Sequence, residues 1–267
     1  MHNLDISFIG GGNMAEAMIA GLVRAGHKPQ QIGVSEPNAE RMKFLTDTYG
    51  VHACTSNADA LSHADITVLA VKPQQMQQAV NNLGMRVKSD ATVVSIAAGL
   101  TTEKLQKFLG SHVNLVRAMP NTPALVGAGV SVLFSDAAEV HRQRAEYVLA
   151  ASGAVYWVTA EKQLHAVTAL SGSGPAYFFL LTEVMQAAGE SLGLPQELAE
   201  HLAEQTALGA GRMLVESGRT AQQLRQQVTS PGGTTQAALD VMYEKGLPDA
   251  VRKAIAAASK RSVELGS

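Results

Sequence analysis

Leu4-Asp5-Ile6-Ser7-Phe8-Ile9-Gly10-Gly11-Gly12-Asn13-Met14-Ala15 is the stretch on which the fold turns. The run Leu4 to Ile9 predicts a strand, and Met14, Met18, Leu22 and Val23 recur at the spacing of a helix that follows at once. Between them the spacing is G-x-G-x-x-A. The first glycine permits the tight turn, and the second lets backbone approach a pyrophosphate. Ala15 lets helix pack closely on strand, with the anion at the helix N-terminus. A glycine turn alone reads the same, so the reading as a dinucleotide loop rests on its place in a first strand–helix unit.

Outward from that unit the same alternation continues. Strands are predicted at Leu4 to Ile9, Ile32 to Ser35, Val51 to Ala53, Ile66 to Val71, Thr92 to Ala97, Val113 to Ala118, Gly129 to Phe134 and Ala154 to Val158, separated by short helices. That is the pattern of a doubly wound α/β parallel sheet with helices on both faces. Beyond about Ala160 the β-branched runs stop. Ala-, Leu-, Gln- and Glu-rich stretches continue, with breaks at Gly172 to Pro175, Gly193 to Pro195, Gly218 and Ser230 to Gly233, so the second half reads as all-α. The expected domains are residues 1–158 and 159–267, joined without a low-complexity linker. The run Glu197 to Glu216 is apolar or small on more than one face, which predicts cover by a second subunit.

Composition excludes several classes. With 21 basic against 23 acidic residues and a net charge of −2, counterion-release binding to nucleic acid has no footing. One cysteine, Cys54, rules out a disulfide framework or a multi-thiolate zinc site. The start Met1-His2-Asn3 lacks the basic region of a signal peptide, and no apolar run reaches the roughly 20 residues of a membrane span, so a cytoplasmic protein with no membrane partner is expected. G-x-S-x-G, S-x-x-K and H-E-x-x-H are all absent, and no metal is implied.

Other motifs end predicted strands, the edge at which open α/β sheets bind ligands. They are Ala70-Val71-Lys72-Pro73, Ser95-Ile96-Ala97-Ala98-Gly99 and Arg117-Ala118-Met119-Pro120-Asn121-Thr122-Pro123. Small Ala97 and Ala98 allow close approach of a nicotinamide, and the prolines stiffen the wall around Asn121. Ser35 stands about 20 residues past Ala15, where an acid would select the ribose 2′-hydroxyl of NAD. Its hydroxyl can donate to a 2′-phosphate, with Asn38 and Arg41 following. Glu36 would repel that phosphate if it turned inward, and a helix cap at Ser35 to Asn38 fits either cofactor. NADPH is favoured, with NADH the weaker alternative. In the helical half, Ser171 to Tyr177 opens a long helix whose segment Ala176 to Ser191 has no lysine or histidine to act as a base. Ser230-Pro231-Gly232-Gly233-Thr234-Thr235 crowds glycines and hydroxyls onto one helix start, where orphan N–H groups can hold a carboxylate.

Taken in order, Phe8 to Met14, Ala70 to Pro73, Val94 to Gly99, Arg117 to Pro123, Ser171 to Tyr177 and Ser230 to Thr235 closely resemble pyrroline-5-carboxylate reductases over essentially the whole chain. The resemblance implies a Rossmann-type domain, a helical dimerisation domain that interlocks with a second subunit as a homodimer or a larger ring, and NADPH-linked reduction of 1-pyrroline-5-carboxylate to L-proline. It implies a cofactor set of Gly10, Gly11, Gly12, Asn13, Met14, Ser35, Asn57, Val71, Lys72, Pro73 and Ala98. The implied substrate set is Ser230, Gly232, Gly233, Thr234 and Thr235, with Thr235 the catalytic candidate that hydrogen-bonds the ring nitrogen or helps deliver its proton. Two departures stand out. Ala221 and Gln226 occupy positions where a proline and an aspartate are expected, and Glu36 replaces a neutral residue.

Overall fold

The computed structural model describes residues 1, 3–81 and 83–266, so His2, Asn82 and Ser267 lie outside the described residues. All eight expected strands are present: β1 Ile6–Ile9, β2 Ile32–Ser35, β3 His52–Ala53, β4 Ile66–Leu69, β5 Thr92–Ser95, β6 Asn114–Met119, β7 Gly129–Phe134 and β8 Gly153–Trp157. They form one sheet in the order β3-β2-β1-β4-β5-β6-β7-β8. The first helices are α1 Asn13–Arg24, α2 Ala39–Tyr49, α3 Asn57–His63, α4 Pro73–Val80, α5 Thr102–Leu109 and α6 Glu139–Ala150. Because the central strands are buried on both faces, alternate residues feed two cores. Ile6, Phe8, Val68, Val94 and Val116 meet Met18 and Leu22 of α1. Ile9, Leu69, Val93 and Leu115 meet Met76 of α4 and Leu105 of α5.

One pairing departs from the expected parallel sheet. β6 and β7 run antiparallel, with Ala118 opposite Leu133. Only residues 120–128 connect them, and that stretch holds a 3₁₀ turn, Thr122–Val126. A parallel return needs a crossover of a dozen or more residues. The connection from β7 to β8 contains α6 and is parallel.

The chain divides into two units, Met1–Ser173 with Ala258–Ser267, and Gly174–Ala257. The strand pattern does end at Trp157, but α7 Gln163–Val167 and the segment Thr168–Gly172 still belong to the first unit. The break expected at Gly172 to Pro175 falls at Ser173, and the chain reaches it through Thr168–Gly172 as a π-helix, with Ser173 N–H donating to Thr168 O at 2.8 Å. The second unit contains α8 Gly174–Ser191, α9 Gln196–Glu216, α10 Ala221–Gln227, α11 Thr234–Glu244 and the first part of α12 Leu247–Gly266. Of its described residues only Gly174, Ala199, Ala203 and Leu224 are buried, whereas Phe178, Phe179, Leu202, Leu208 and Val215 are exposed. A lone chain therefore leaves these helices with almost no core of their own. Among the described residues no helix is long and apolar enough to cross a membrane, and no group of three metal-ligating side chains is gathered.

Candidate active site

The strand order reverses between β1 and β4, and their carboxyl ends open the crevice in which such sheets bind ligands. Gly10 has φ +96°, and a Cβ there would lie 2.8 Å from the carbonyl oxygen of Ala70, so the turn requires glycine. Helix α1 starts from Gly12, in extended backbone, and a Cβ on Gly12 would meet no described atom within 4 Å. Its backbone thus faces open space beside the uncapped start of a twelve-residue helix. Ala15, fully buried, lets that helix sit close on the sheet.

Beside the end of β2 lies a cleft of about 530 Å³ whose walls include Ser35, Glu36, Ser56 and Asn57. Ser35 Oγ donates to Asn57 Oδ1 at 2.6 Å, and Asn57 Nδ2 donates to Ala79 O at 2.9 Å. Glu36 is turned toward the glycine loop: Oε2 accepts from Gly11 N–H at 2.8 Å and Oε1 from Asn38 N–H at 2.9 Å. Arg41 braces the same loop, donating from Nε to Gly11 O at 2.6 Å and pairing with Glu16.

A second pocket, of about 300 Å³, opens at the carboxyl ends of β4, β5 and β6. Met14, Val71, Lys72, Pro73 and Ala98 line it together, although the sequence scatters them over 85 positions. Here the glycine loop joins the two spaces, through Gly11 bonded to Glu36 in one and Met14 in the other. Lys72 is the exposed residue before α4, whose first position is Pro73.

The structure adds wall residues beyond the expected set. Met119, Asn121 and Gly172 line the second pocket. Asn121 is buried; its Oδ1 accepts from Val130 N–H at 2.9 Å and its Nδ2 donates to Ser171 O at 3.1 Å, which ties the π-helical turn to the end of β6. Prolines around Asn121 were the only sequence signal for this brace. Further along β6, Arg117 is buried and pairs with Glu161 at 2.8 Å. The same carboxylate oxygen accepts from Thr102 N–H and Thr102 Oγ1 at 2.6 and 2.7 Å, at the start of α5. Burial pushes the Glu161 carboxyl up, but the bonds from Arg117 and Thr102 together outweigh it and hold the group below its ordinary value of 4.5. Nothing in the sequence linked these positions, which are 44 and 59 residues apart.

Ser230, Gly232, Gly233, Thr234 and Thr235 lie in the second unit. The turn needs a left-handed residue at Gly232, φ +71°, and closes with Gly233 N–H on Ser230 O at 3.0 Å. Gly233 then starts α11 in extended backbone, with no side chain of its own to cap the helix, and Thr235 is half-buried. Arg225, the basic side chain nearest in sequence, stacks over the Tyr243 ring and donates to its hydroxyl. No proline is needed at position 221 to start α10, because Thr220 and Gln223 form a reciprocal cap on that helix.

The family model described as "Pyrroline-5-carboxylate reductase dimerisation" matches residues 161–265, and that described as "NADP oxidoreductase coenzyme F420-dependent" matches residues 5–99. The chain is 44% identical over 262 residues to the pyrroline-5-carboxylate reductase of Pseudomonas aeruginosa, covering 97% of this chain and 96% of that one. It is 43% identical to that of Haemophilus influenzae, covering 99% and 98%. Among solved structures, a pyrroline-5-carboxylate reductase from Coxiella burnetii superposes with TM-score 0.93 at 42% identity, covering 99% of both chains. A Plasmodium falciparum pyrroline carboxylate reductase with NADP bound gives 0.89 at 31%, covering 100% of both.

Proposed function

The chain belongs to the pyrroline-5-carboxylate reductase family, NAD(P)-dependent oxidoreductases of proline biosynthesis, and from that premise we propose how its own residues serve the reaction. Residues 1–158 hold the dinucleotide and residues 159–267 provide dimerisation and substrate binding. The pyrophosphate lies on Gly10, Gly11, Gly12, Asn13 and Met14, the adenosine end by Ser35 and Asn57, and the nicotinamide end by Val71, Lys72, Pro73 and Ala98. NADPH is the donor, with NADH the weaker one. One observation carries this assignment: five residues spread from Met14 to Ala98 line a single pocket beside the glycine loop.

The glycine loop fits the cofactor, because the backbone of Gly12 faces open space at a helix start and the Gly10 turn excludes any side chain. When bound, the reduced nicotinamide supplies a hydride to the C=N carbon of 1-pyrroline-5-carboxylate, giving L-proline. The protein's part is alignment and charge. Backbone N–H groups of Gly232 and Thr234, with the Ser230 hydroxyl, hold the substrate carboxylate at the start of α11, while Gly233, whose own N–H closes the turn on Ser230 O, leaves room for it by lacking a side chain. Thr235 hydrogen-bonds the ring nitrogen, whose protonation makes the C=N carbon most reactive toward hydride, or passes that nitrogen a proton from water. No strong base is required. The exposed apolar helices of the second unit are covered by a second copy, so the protein works as a homodimer or a larger ring, in the cytoplasm.

Two variants test the loop. In Gly233→Val the Cβ would stand 3.1 Å from Ser230 O and its methyl groups would crowd the anion site. It is expected to abolish saturation by substrate while NADPH affinity, followed by fluorescence, stays near wild type. Thr235→Ala is expected to lower kcat by the equivalent of about 1–3 kcal/mol, the loss of one hydrogen bond to the reacting imine. Normal kinetics in both would move the carboxylate site elsewhere.

A further inference from the structure

We propose that Glu36 is a specificity-determining residue that works against the 2′-phosphate of NADPH and so narrows the margin between NADPH and NADH. This rests on the reading that the cleft beside β2 takes the adenosine end of the cofactor. Parallel pairing of β1 with β2 sets Ile9 opposite Ser35, so Glu36 leaves β2 where Gly10 leaves β1. That is the place at which an acidic side chain meets the ribose hydroxyls in nucleotide-binding sheets of this kind.

The carboxylate is fixed there. Its two oxygens accept from Gly11 N–H and Asn38 N–H, so it is tied to the loop that carries the pyrophosphate and cannot swing away without releasing two backbone donors. The groups that would welcome a phosphate are engaged elsewhere. Among the described residues that wall the cleft there is no lysine and no arginine. Arg41, the nearest cation along the chain, is held by Gly11 O and Glu16. Ser35 directs its hydroxyl proton to Asn57. A 2′-phosphate entering this cleft therefore meets one anchored carboxylate and no opposing charge, whereas a 2′-hydroxyl finds an acceptor.

Direct binding of adenosine 2′,5′-bisphosphate and adenosine 5′-monophosphate, measured by calorimetry, tests this without turnover. Glu36→Gln is expected to tighten the bisphosphate about tenfold and change the monophosphate less than twofold, with the gain shrinking as salt rises. Arg41→Gln is expected to change both ligands alike. An unchanged ratio in Glu36→Gln overturns the proposal, as does selective loss of the bisphosphate in Arg41→Gln, which would mean that Arg41 reaches the phosphate. Ala58→Trp, which fills the cleft wall and whose folding is checked by circular dichroism, separates the two failures. If it blocks both ligands while the Glu36→Gln ratio is unchanged, only the role of Glu36 falls. If both ligands still bind normally, the cleft is not the adenosine site and both readings fall.

Discussion

Glu161→Ala is expected to lower the unfolding free energy by about 3 kcal/mol near neutral pH, the lower end for removing one partner of a buried ion pair, because Glu161 keeps 27% of its side chain exposed whereas Arg117 keeps 6%. The loss comes less from the pair than from what remains: a guanidinium inside the sheet with no counter-charge, and a Thr102 N–H and hydroxyl at the start of α5 stripped of their carboxylate acceptor. The sign of the pH dependence is fixed by the depressed carboxyl. Its stabilisation is fully present above the ordinary value of 4.5 and fades as pH falls through the lower value of the folded state. Urea midpoints for wild type and Glu161→Ala should therefore differ widely near neutrality and converge in acid. Arg117→Met combined with Glu161→Leu should recover most of the loss, since no buried charge is left alone. Equal midpoints at neutral pH would show that the pair contributes nothing to the wall behind Met119 and Asn121.

Gly10→Ala is expected to be the most damaging single methyl in the cofactor site. At φ +96° an alanine carries strain, and its Cβ would stand 2.8 Å from a carbonyl oxygen of the neighbouring strand end, which is backbone and cannot step aside. Together these should cost on the order of 4 kcal/mol of stability, and NADPH affinity should fall at least tenfold through displacement of the loop. Gly12→Ala is the matching control. Its φ of −67° suits any residue and its Cβ meets open space, so stability should stay within about 0.5 kcal/mol while NADPH binding weakens, because the methyl lies where backbone must approach the pyrophosphate. Thermal unfolding and fluorescence titration of both variants distinguish a turn requirement from a ligand requirement. Unaltered nucleotide binding in Gly12→Ala would remove the loop from the site.

What the sequence disclosed, and what it did not, follows from the range of the interactions involved. Strands such as Ile32–Ser35 and Gly129–Phe134 are written in local β-branched runs, and the glycine loop and the start of α11 are short motifs that carry their own geometry. The apolar faces around Leu202, Leu208 and Leu214 are legible in the helical spacing, and all three side chains are exposed in the lone chain. The antiparallel return of β7 was harder, because it depends on how little chain separates Met119 from Gly129 and not on either strand. The π-helical turn at Thr168–Gly172 carries no local code; Asn121, some 50 residues away, helps to hold it. Glu36 shows the limit most clearly. Its identity was plain, but whether it faced the cleft or solvent depended on the bonds it makes to Gly11 and Asn38.

The most direct measurement is turnover itself. Purified protein is mixed with NADPH and 1-pyrroline-5-carboxylate, the loss of reduced-nicotinamide absorbance is followed, and L-proline is quantified in the same sample. One L-proline is expected to form for each NADPH consumed, with both slowed equally in Thr235→Ala. NADPH that binds but is not consumed would contradict this expectation, and would leave a nucleotide-binding protein without the reductase chemistry assigned to Ser230–Thr235.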